Sequence, residues 1–266
     1  MNENMEREIL EVLRRSGDFE ELRRQYVRVI ETHQVPYAEN ITARSDWLFY
    51  VCFCRLVAAH LPDRKARIID WGGLYGHVTK ILHRLGYGDT TNYLLHERPH
   101  YPFFQAAFDI PTLWGRHPNR LELDDRSVDA FISSGVLEHV REDGVGEEAA
   151  LLREVHRVLK PGGRFFIWNL PARWGSSELL AILAGKWHHT CRYQKKDIAG
   201  LLSAAGFEIV SLEKHKFLPG TAREWLGRRI EPVRLLAWDD RLSRWFPFSL
   251  LARDFLVVAR KIDSNS

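Results

Sequence analysis

The sequence predicts an α/β protein with a doubly wound, mostly parallel sheet of seven strands, an N-terminal helical lid and a late helical insertion. Three observations support this prediction. From Arg67 onward, short apolar segments alternate with amphipathic segments, as strands and helices do in a parallel sheet. A glycine-rich turn joins the first strand of this series to its first helix. The chain before Arg67 shows only the three- and four-residue spacing of helices.

Residues 1–62 are predicted to form helices that cap the sheet as a lid. Met5–Arg15 and Phe19–Thr32 carry apolar residues three and four positions apart. Asp46–Leu61 is a strongly apolar helix that ends before a proline. Because all three helices precede the first strand, they are expected to lie on the core rather than within the sheet.

Seven strands are predicted in the core domain, residues 63–262. Each is a short apolar segment bounded by turn residues or by an amphipathic helix. Two segments, at about 171–194 and 216–249, interrupt the pattern and are predicted to cover the substrate. The predicted strands are Ile68–Ile69, Asn92–His96, Thr112–Gly115, Val128–Ser133, Arg164–Asn169, Phe207–Leu212 and Asp254–Ala259.

Composition narrows the class of protein. The 266 residues are enough for one large α/β domain with an appendage. A net charge of +3 is too small to indicate a nucleic-acid partner. The three cysteines match neither a zinc pattern nor a disulfide framework, so buried thiols are expected. A charged N-terminus and the lack of an apolar run of about 18 residues predict a cytoplasmic chain without a membrane span.

The most informative motif is the strand, turn and helix at residues 67–82. Asp70 ends the strand, and Gly72, Gly73 and Gly76 form the turn. In dinucleotide sites a turn of this kind receives a pyrophosphate. A carboxylate directly before the glycines would repel a pyrophosphate but suits a positively charged ligand. The motif therefore favours S-adenosylmethionine (SAM), a sulfonium with an α-ammonium group, over NAD.

Glu97 is predicted to bind a ribose. It follows Gly76 by 21 residues and is placed at the end of the second predicted strand. An acid at that place accepts hydrogen bonds from both ribose hydroxyls. The alternative is a solvated surface glutamate.

Two later segments complete a recognisable set. These are VDAFISSGVLEHV, residues 128–140, and LREVHRVLKPGGR, residues 152–164. Together with IIDWGGLYG and the late segment YQKKDIAGLLSAAGFEIV, they resemble class I SAM-dependent methyltransferases, in particular the subgroup called methyltransferase type 11. The resemblance covers about residues 65–215 and the final strand. It implies a Rossmann-like fold with SAM as cofactor and S-adenosylhomocysteine as product.

The resemblance also implies which residues bind the cofactor. The sequence departs from the family pattern at Leu74, where glycine is usual. It departs again after the third strand, where the acid that reads the adenine amino group is missing, so His117, Asn119 or backbone groups are candidates for that contact. The cofactor-binding positions implied are Asp70, Gly72, Gly73, Gly76, Glu97, Ser134 and Gly135.

His139 is the candidate catalytic residue. It follows the fourth strand, near the edge where the methyl group would be presented, and an oxygen acceptor needs its proton removed. An imidazole is suited to that role near neutral pH. The alternative is that Glu138 and His139 only brace the loop.

The segment around His188, His189 and Tyr193 is the candidate substrate contact. It lies in the first insertion, which commonly covers the acceptor pocket in the resembled family. Adjacent histidines also bind metals, but no carboxylate lies at ligand spacing beside them in the sequence, so no metal is expected. A plain structural loop is the third alternative.

Arginines alternate with aromatic residues between residues 223 and 253. Such a segment packs as a helical hairpin with arginine stems over apolar surface, or contacts a lipid interface peripherally. Its acidic residues argue against nucleic acid, and ordinary packing is favoured.

These observations predict a methyltransferase that modifies oxygen in a small molecule or a glycan-type, sugar-containing or secondary-metabolite precursor. One alternative is a methyltransferase-like protein without transfer activity, favoured by Leu74 and the missing acid, that serves as a binding partner or uses the pocket for another reaction. The other is an NAD-dependent oxidoreductase. The motifs indicate no oligomeric state.

Overall fold

Seven strands form one sheet in the computed structural model, which describes residues 17–36, 38–117, 119–142, 144 and 146–262. The helix predicted at Met5–Arg15 lies outside the described residues. The strands are β1 Ile68–Trp71, β2 Thr90–Leu94, β3 Thr112–Trp114, β4 Val128–Ser134, β5 Leu159–Pro171, β6 Phe207–His215 and β7 Asp254–Lys261.

The strand order is β3-β2-β1-β4-β5-β7-β6, and β7 runs antiparallel to both of its neighbours. The pairs β1–β2, β2–β3, β1–β4 and β4–β5 are parallel. This arrangement confirms the predicted doubly wound, mostly parallel sheet. The strand order reverses between β1 and β4, and ligands of such sheets bind outside the carboxyl ends at that point.

The helices lie on both faces of the sheet and in the connections. The helices predicted at Phe19–Thr32 and Asp46–Leu61 agree with the observed ends to within about two residues. The observed bounds are α1 Gly17–Thr32, α2 Glu39–Thr42, α3 Arg44–His60, α4 His77–Arg84, α5 Tyr101–Phe108, α6 Leu137–Glu142, α7 Glu148–Val158, α8 Ser176–Leu183, α9 Lys195–Ala204, α10 Gly220–Gly227 and α11 Pro232–Arg244.

The N-terminal helices α1 and α3 share a hydrophobic core with the sheet. The fully buried Tyr26 and Trp47 belong to the same cluster as Ile132 of β4 and Phe166 of β5. The Tyr26 hydroxyl donates to the carbonyl of Tyr75 over 3.1 Å, which ties α1 to the glycine turn. These helices therefore cap the sheet as an integral layer, and their action as a lid stays a prediction.

The second strand ends earlier than the sequence predicts. β2 stops at Leu94, whose partner in β3 is Trp114, and β3 has only three residues. Because no partner strand continues beyond Trp114, the chain leaves the sheet there. Glu97 consequently lies in the following loop rather than at the strand end, and it is exposed.

The second insertion forms α10 and α11, and a buried arginine attaches it to the N-terminal layer. Arg223 is 3% exposed and pairs with Asp46 of α3 at 2.6 Å and with Asp239 of α11 at 3.4 Å. Asp239 also accepts the backbone N–H groups of Phe217 and Leu218. Packing thus accounts for Arg223, while Trp225, Trp238 and Trp245 are exposed. In the part of the chain that the structure describes, no helix has the length and apolar character to cross a bilayer.

Candidate functional site

A cavity of about 520 Å³ lies at the carboxyl ends of β1, β2, β4 and β5. This volume is within the range of small-molecule sites, roughly 300–1,000 Å³. Its walls come from the turn after β1, the loop after β2, the turn after β4 and the end of β5. The sequence-predicted residues that line it are Gly72, Gly73, Leu74, Ser134, Gly135 and His139.

Asp70 lies beneath the glycine turn rather than on the cavity wall. Its side chain is fully buried, and Oδ2 accepts hydrogen bonds from the backbone N–H and the hydroxyl of Thr79, at 3.1 and 2.8 Å. Oδ1 is buried without a hydrogen-bond partner. Burial raises the pKa of Asp70 to about 6, although the bonds from Thr79 oppose the shift. Asp70 thus joins the turn to α4 through Thr79. Its carboxylate would attract a cation in the cavity through the turn, without direct contact.

Glycines are required where the turn crosses buried side chains. Gly72 has φ +66°, and a Cβ there would lie 2.6 Å from Val136 Cγ2. Gly76 has φ +69°, and a Cβ there would lie 2.7 Å from Ile110 Cγ2. Gly76 therefore serves packing beneath the site, whereas Gly72 keeps the backbone open to the cavity.

Replacing Gly73 by alanine should destabilise the protein. The added Cβ would lie 2.5 Å from Asn92 Oδ1 and in contact with Asp70 Oδ2, both on fully buried side chains. Overpacking of this kind costs about 1–3 kcal/mol, which urea unfolding measures directly. Gly88→Ala is the matched control, since nothing lies within 4 Å of its added Cβ. Equal free energies of unfolding for the two variants would show that the turn accommodates the added methyl group without loss of stability.

Leu74 adopts a backbone conformation that favours glycine. Its φ is +47°, a region where a side chain costs roughly 1–2 kcal/mol. The side chain is half-buried, packs against the core cluster of the N-terminal helices and lines the cavity. The residue that departs from the family pattern thus narrows the site itself.

Several predicted contacts lie away from this cavity. Glu97 is not among its lining residues, although the flanking His96 and Arg98 are. His117 is exposed in the loop after β3, where its Nδ1 accepts the N–H of Asn119 at 3.1 Å. The ribose role of Glu97 and the adenine role of His117 stay predictions.

The structure places the three candidate substrate residues, His188, His189 and Tyr193, in different surroundings. His188 is half-buried. The Tyr193 hydroxyl donates to Glu148, and Tyr193 lines a different cavity of about 620 Å³, with Lys214 and Arg244, that shares no residue with the glycine turn. His189 is the one of the three that lies beside His139, with 5.1 Å between the ring centroids. Substrate contact by His188 and Tyr193 stays a prediction.

Three polar lining residues escape sequence reasoning, and two of them, Asn40 and Asn169, come from elements that are distant from the turn in the sequence. His77, at the start of α4, is buried with neither ring nitrogen hydrogen-bonded, and burial lowers its pKa to about 3. Asn40 of α2 donates to the Tyr50 hydroxyl at 2.9 Å, which leaves its buried Oδ1 without a partner. Asn169, with φ +58°, lies near the end of β5. The only signal in the sequence was the position of His77 directly after the turn.

A polar cluster borders the cavity at His139. Glu142 Oε2 lies 3.5 Å from His139 Nδ1 and 3.0 Å from His189 Nδ1. Glu142 Oε1 accepts the backbone N–H of Cys191 at 2.6 Å. The exposed ring of Trp187 stacks on His139 at 6.5 Å and lines the same cavity. The first insertion is thereby joined to α6 at the edge of the site.

Glu138, the residue before His139, points into this cluster. It is 2% exposed, and its Oε2 has no hydrogen-bond partner. Burial raises the pKa of Glu138 to about 8.

Comparisons with known proteins agree with this geometry. Residues 69–167 match the family described as a methyltransferase domain. Similar solved structures include an S-adenosylmethionine-dependent methyltransferase from Mesorhizobium loti, with 21% identity, 82% of this chain and 98% of that chain covered, and a TM-score of 0.51.

Two further structures widen the comparison. One is the Burkholderia thailandensis 1,6-didemethyltoxoflavin-N1-methyltransferase with bound 1,6-didemethyltoxoflavin and S-adenosylhomocysteine (18% identity; 91% and 88% covered; TM-score 0.53). The other is the 4+2 cyclase SpnF (18% identity; 80% of each chain covered; TM-score 0.51). At these identities the likeness is one of fold.

Proposed function

We propose that residues 69–167, which match a methyltransferase domain, bind S-adenosylmethionine and that the protein methylates a hydroxyl oxygen of a small molecule or a sugar-containing precursor. The observation that carries the proposal is the cavity at the carboxyl ends of β1 and β4, which is lined by both the glycine turn and His139.

The residues around the cavity fit SAM. Gly72 and Gly73 leave backbone next to the cavity without an intervening side chain. Asn40 Oδ1 and the His77 ring nitrogens are buried lining groups that still lack partners, so a polar ligand would satisfy them. The ionised form of Asp70 beneath the turn favours a cation above it. Asn40 and His77 would hold the amino-acid part, and Glu97 remains the proposed ribose contact.

SAM when bound supplies a methyl group on a sulfonium, which is already a good leaving group. The protein therefore contributes position and exclusion of water. Trp71 and Val136 line the cavity beside the turn, and Trp187 covers its edge from the first insertion. His139, held near Glu142, is placed to act on the proton of an acceptor hydroxyl.

Calorimetry with SAM and S-adenosylhomocysteine tests the proposal. We expect saturable binding of both and, with an accepted substrate, a product heavier by one CH₂. The rival function is a methyltransferase-like protein without transfer, favoured by the Leu74 side chain in the cavity. Absence of binding to either compound would reject the enzyme and favour that rival.

The pH dependence of SAM affinity adds a specific expectation. Because a cation above Asp70 favours the ionised carboxylate, affinity should fall as pH drops below about 6, by up to about tenfold per pH unit. Asp70→Asn should bind SAM more weakly and lose this slope.

The same raised pKa of Asp70 also affects stability, because the folded state holds the Asp70 proton more tightly than the unfolded chain does. The contribution of Asp70 to stability is therefore lost as pH rises toward about 6.

A further inference from the structure

Two histidines and one glutamate converge at the edge of the cavity. Glu138 and His139 come from α6, and His189 comes from the first insertion about fifty positions later. One potential ligand atom from each of the three lies within 4.8 Å of the other two. The sequence offered no carboxylate beside the histidine pair, and the fold brings one there. Two imidazoles and one carboxylate are a common ligand set of divalent transition metals.

The burial of Glu138 points independently to a cation. Its side chain is 2% exposed, and Oε2 is buried without a hydrogen-bond partner. A buried carboxyl oxygen without a partner is costly, and a coordinated cation removes that cost. The orphaned oxygen belongs to the residue that shares the cluster with His139 and His189.

Glu142 supplies the outer partner that metal-binding histidines usually have. Its Oε2 lies 3.0 Å from His189 Nδ1 and 3.5 Å from His139 Nδ1, and its side chain is 7% exposed. A carboxylate that accepts from Nδ1–H fixes the ring and leaves Nε2 for a metal. Backbone donation from Cys191 to Glu142 Oε1, at 2.6 Å, holds the carboxylate in place.

We propose that Glu138, His139 and His189 bind one divalent transition-metal ion, such as Zn²⁺ or Mn²⁺, with Glu142 orienting both imidazoles. Three protein ligands leave coordination positions for the acceptor. His139 lines the cavity, so those positions serve an acceptor hydroxyl there, and a bound metal increases the acidity of such a hydroxyl. This use of the metal rests on the proposed methyl transfer, whereas metal binding itself does not. It also specifies how His139 acts on the acceptor, as a ligand of the metal.

Metal binding is testable on the full chain without a known acceptor. Protein freed of metal with a chelator is titrated with Co²⁺, whose visible absorption reports nitrogen ligands, and then with Zn²⁺ as a competitor. We expect one ion per chain. His189→Ala and Glu138→Gln should each weaken binding at least about 100-fold, and Glu142→Gln about 10–100-fold. His188→Ala is the matched control, since this neighbour is half-buried like His189 but is outside the cluster and should bind metal as the wild type does.

Two results would overturn the site: no Co²⁺ spectrum in the wild type, or His189→Ala binding metal as tightly as His188→Ala. Because Glu138 is buried, thermal unfolding of Glu138→Gln is recorded to check that this variant folds. If it does not fold, His189→Ala decides the question, since His189 is only half-buried. SAM calorimetry on the same samples separates the two proposals. SAM binding without metal rejects the metal site alone, and metal binding without SAM supports the site while rejecting the proposed enzyme.

Discussion

Replacing Arg223 by alanine should lower the free energy of unfolding by about 3–5 kcal/mol. The guanidinium is 3% exposed and lies between Asp46 and Asp239, and Asp239 is fully buried. Removing the arginine leaves the buried carboxylate of Asp239 without its countercharge. The arginine also lies over the ring of Phe49, 5.0 Å from its centroid, so packing is lost as well. The second insertion would then lose its charged link to α3, while Leu236 would still pack in the core cluster that it shares with that helix.

Urea unfolding of Arg223→Ala and Arg228→Ala gives a matched comparison. Arg228 also pairs with a carboxylate, Glu224 at 2.8 Å, but the two side chains are 72% and 56% exposed. An exposed pair contributes about 0–1 kcal/mol, so the control should unfold almost as the wild type does. If Arg223→Ala were no less stable than the control, the buried network would not hold the insertion in place.

Replacing His139 by alanine should lower kcat by about 10²–10⁴-fold while leaving SAM affinity nearly unchanged. His139 lines the cavity beside Glu142, its ring stacks with that of Trp187, and it is not part of the glycine turn that would hold the cofactor. Its side chain is 37% exposed, so its removal should cost little stability. The substitution should therefore slow methyl transfer and leave cofactor binding and folding nearly unchanged.

Turnover, SAM calorimetry and thermal unfolding together separate a chemical role from a structural one. Lys186→Ala is the control, because this exposed side chain belongs to the first insertion and lies outside the cavity lining. Unchanged kcat in His139→Ala would remove this residue from the reaction. A drop in kcat matched by an equal drop in SAM affinity would place it in cofactor binding instead.

The sequence by itself determined the order of the elements and the place of the cofactor turn. Strands and helices carry different local periods of apolar residues, and a glycine turn is a short continuous motif, so both are visible without tertiary contacts. Residues 68–82 fold as predicted, and the seven strands appear in the predicted order. Leu74 was visible as an anomaly in the same way, and its positive φ now gives the anomaly a physical meaning.

Only the tertiary structure decided which side chains share a site. It placed Asp70 beneath the turn and Glu97 beyond the end of β2, since burial and strand pairing depend on neighbours that are remote in sequence. It brought Glu142 to His189, 47 positions later, and Asp46 to Arg223. Such contacts follow from how helices and insertions pack on the sheet, and local sequence patterns carry no record of that packing.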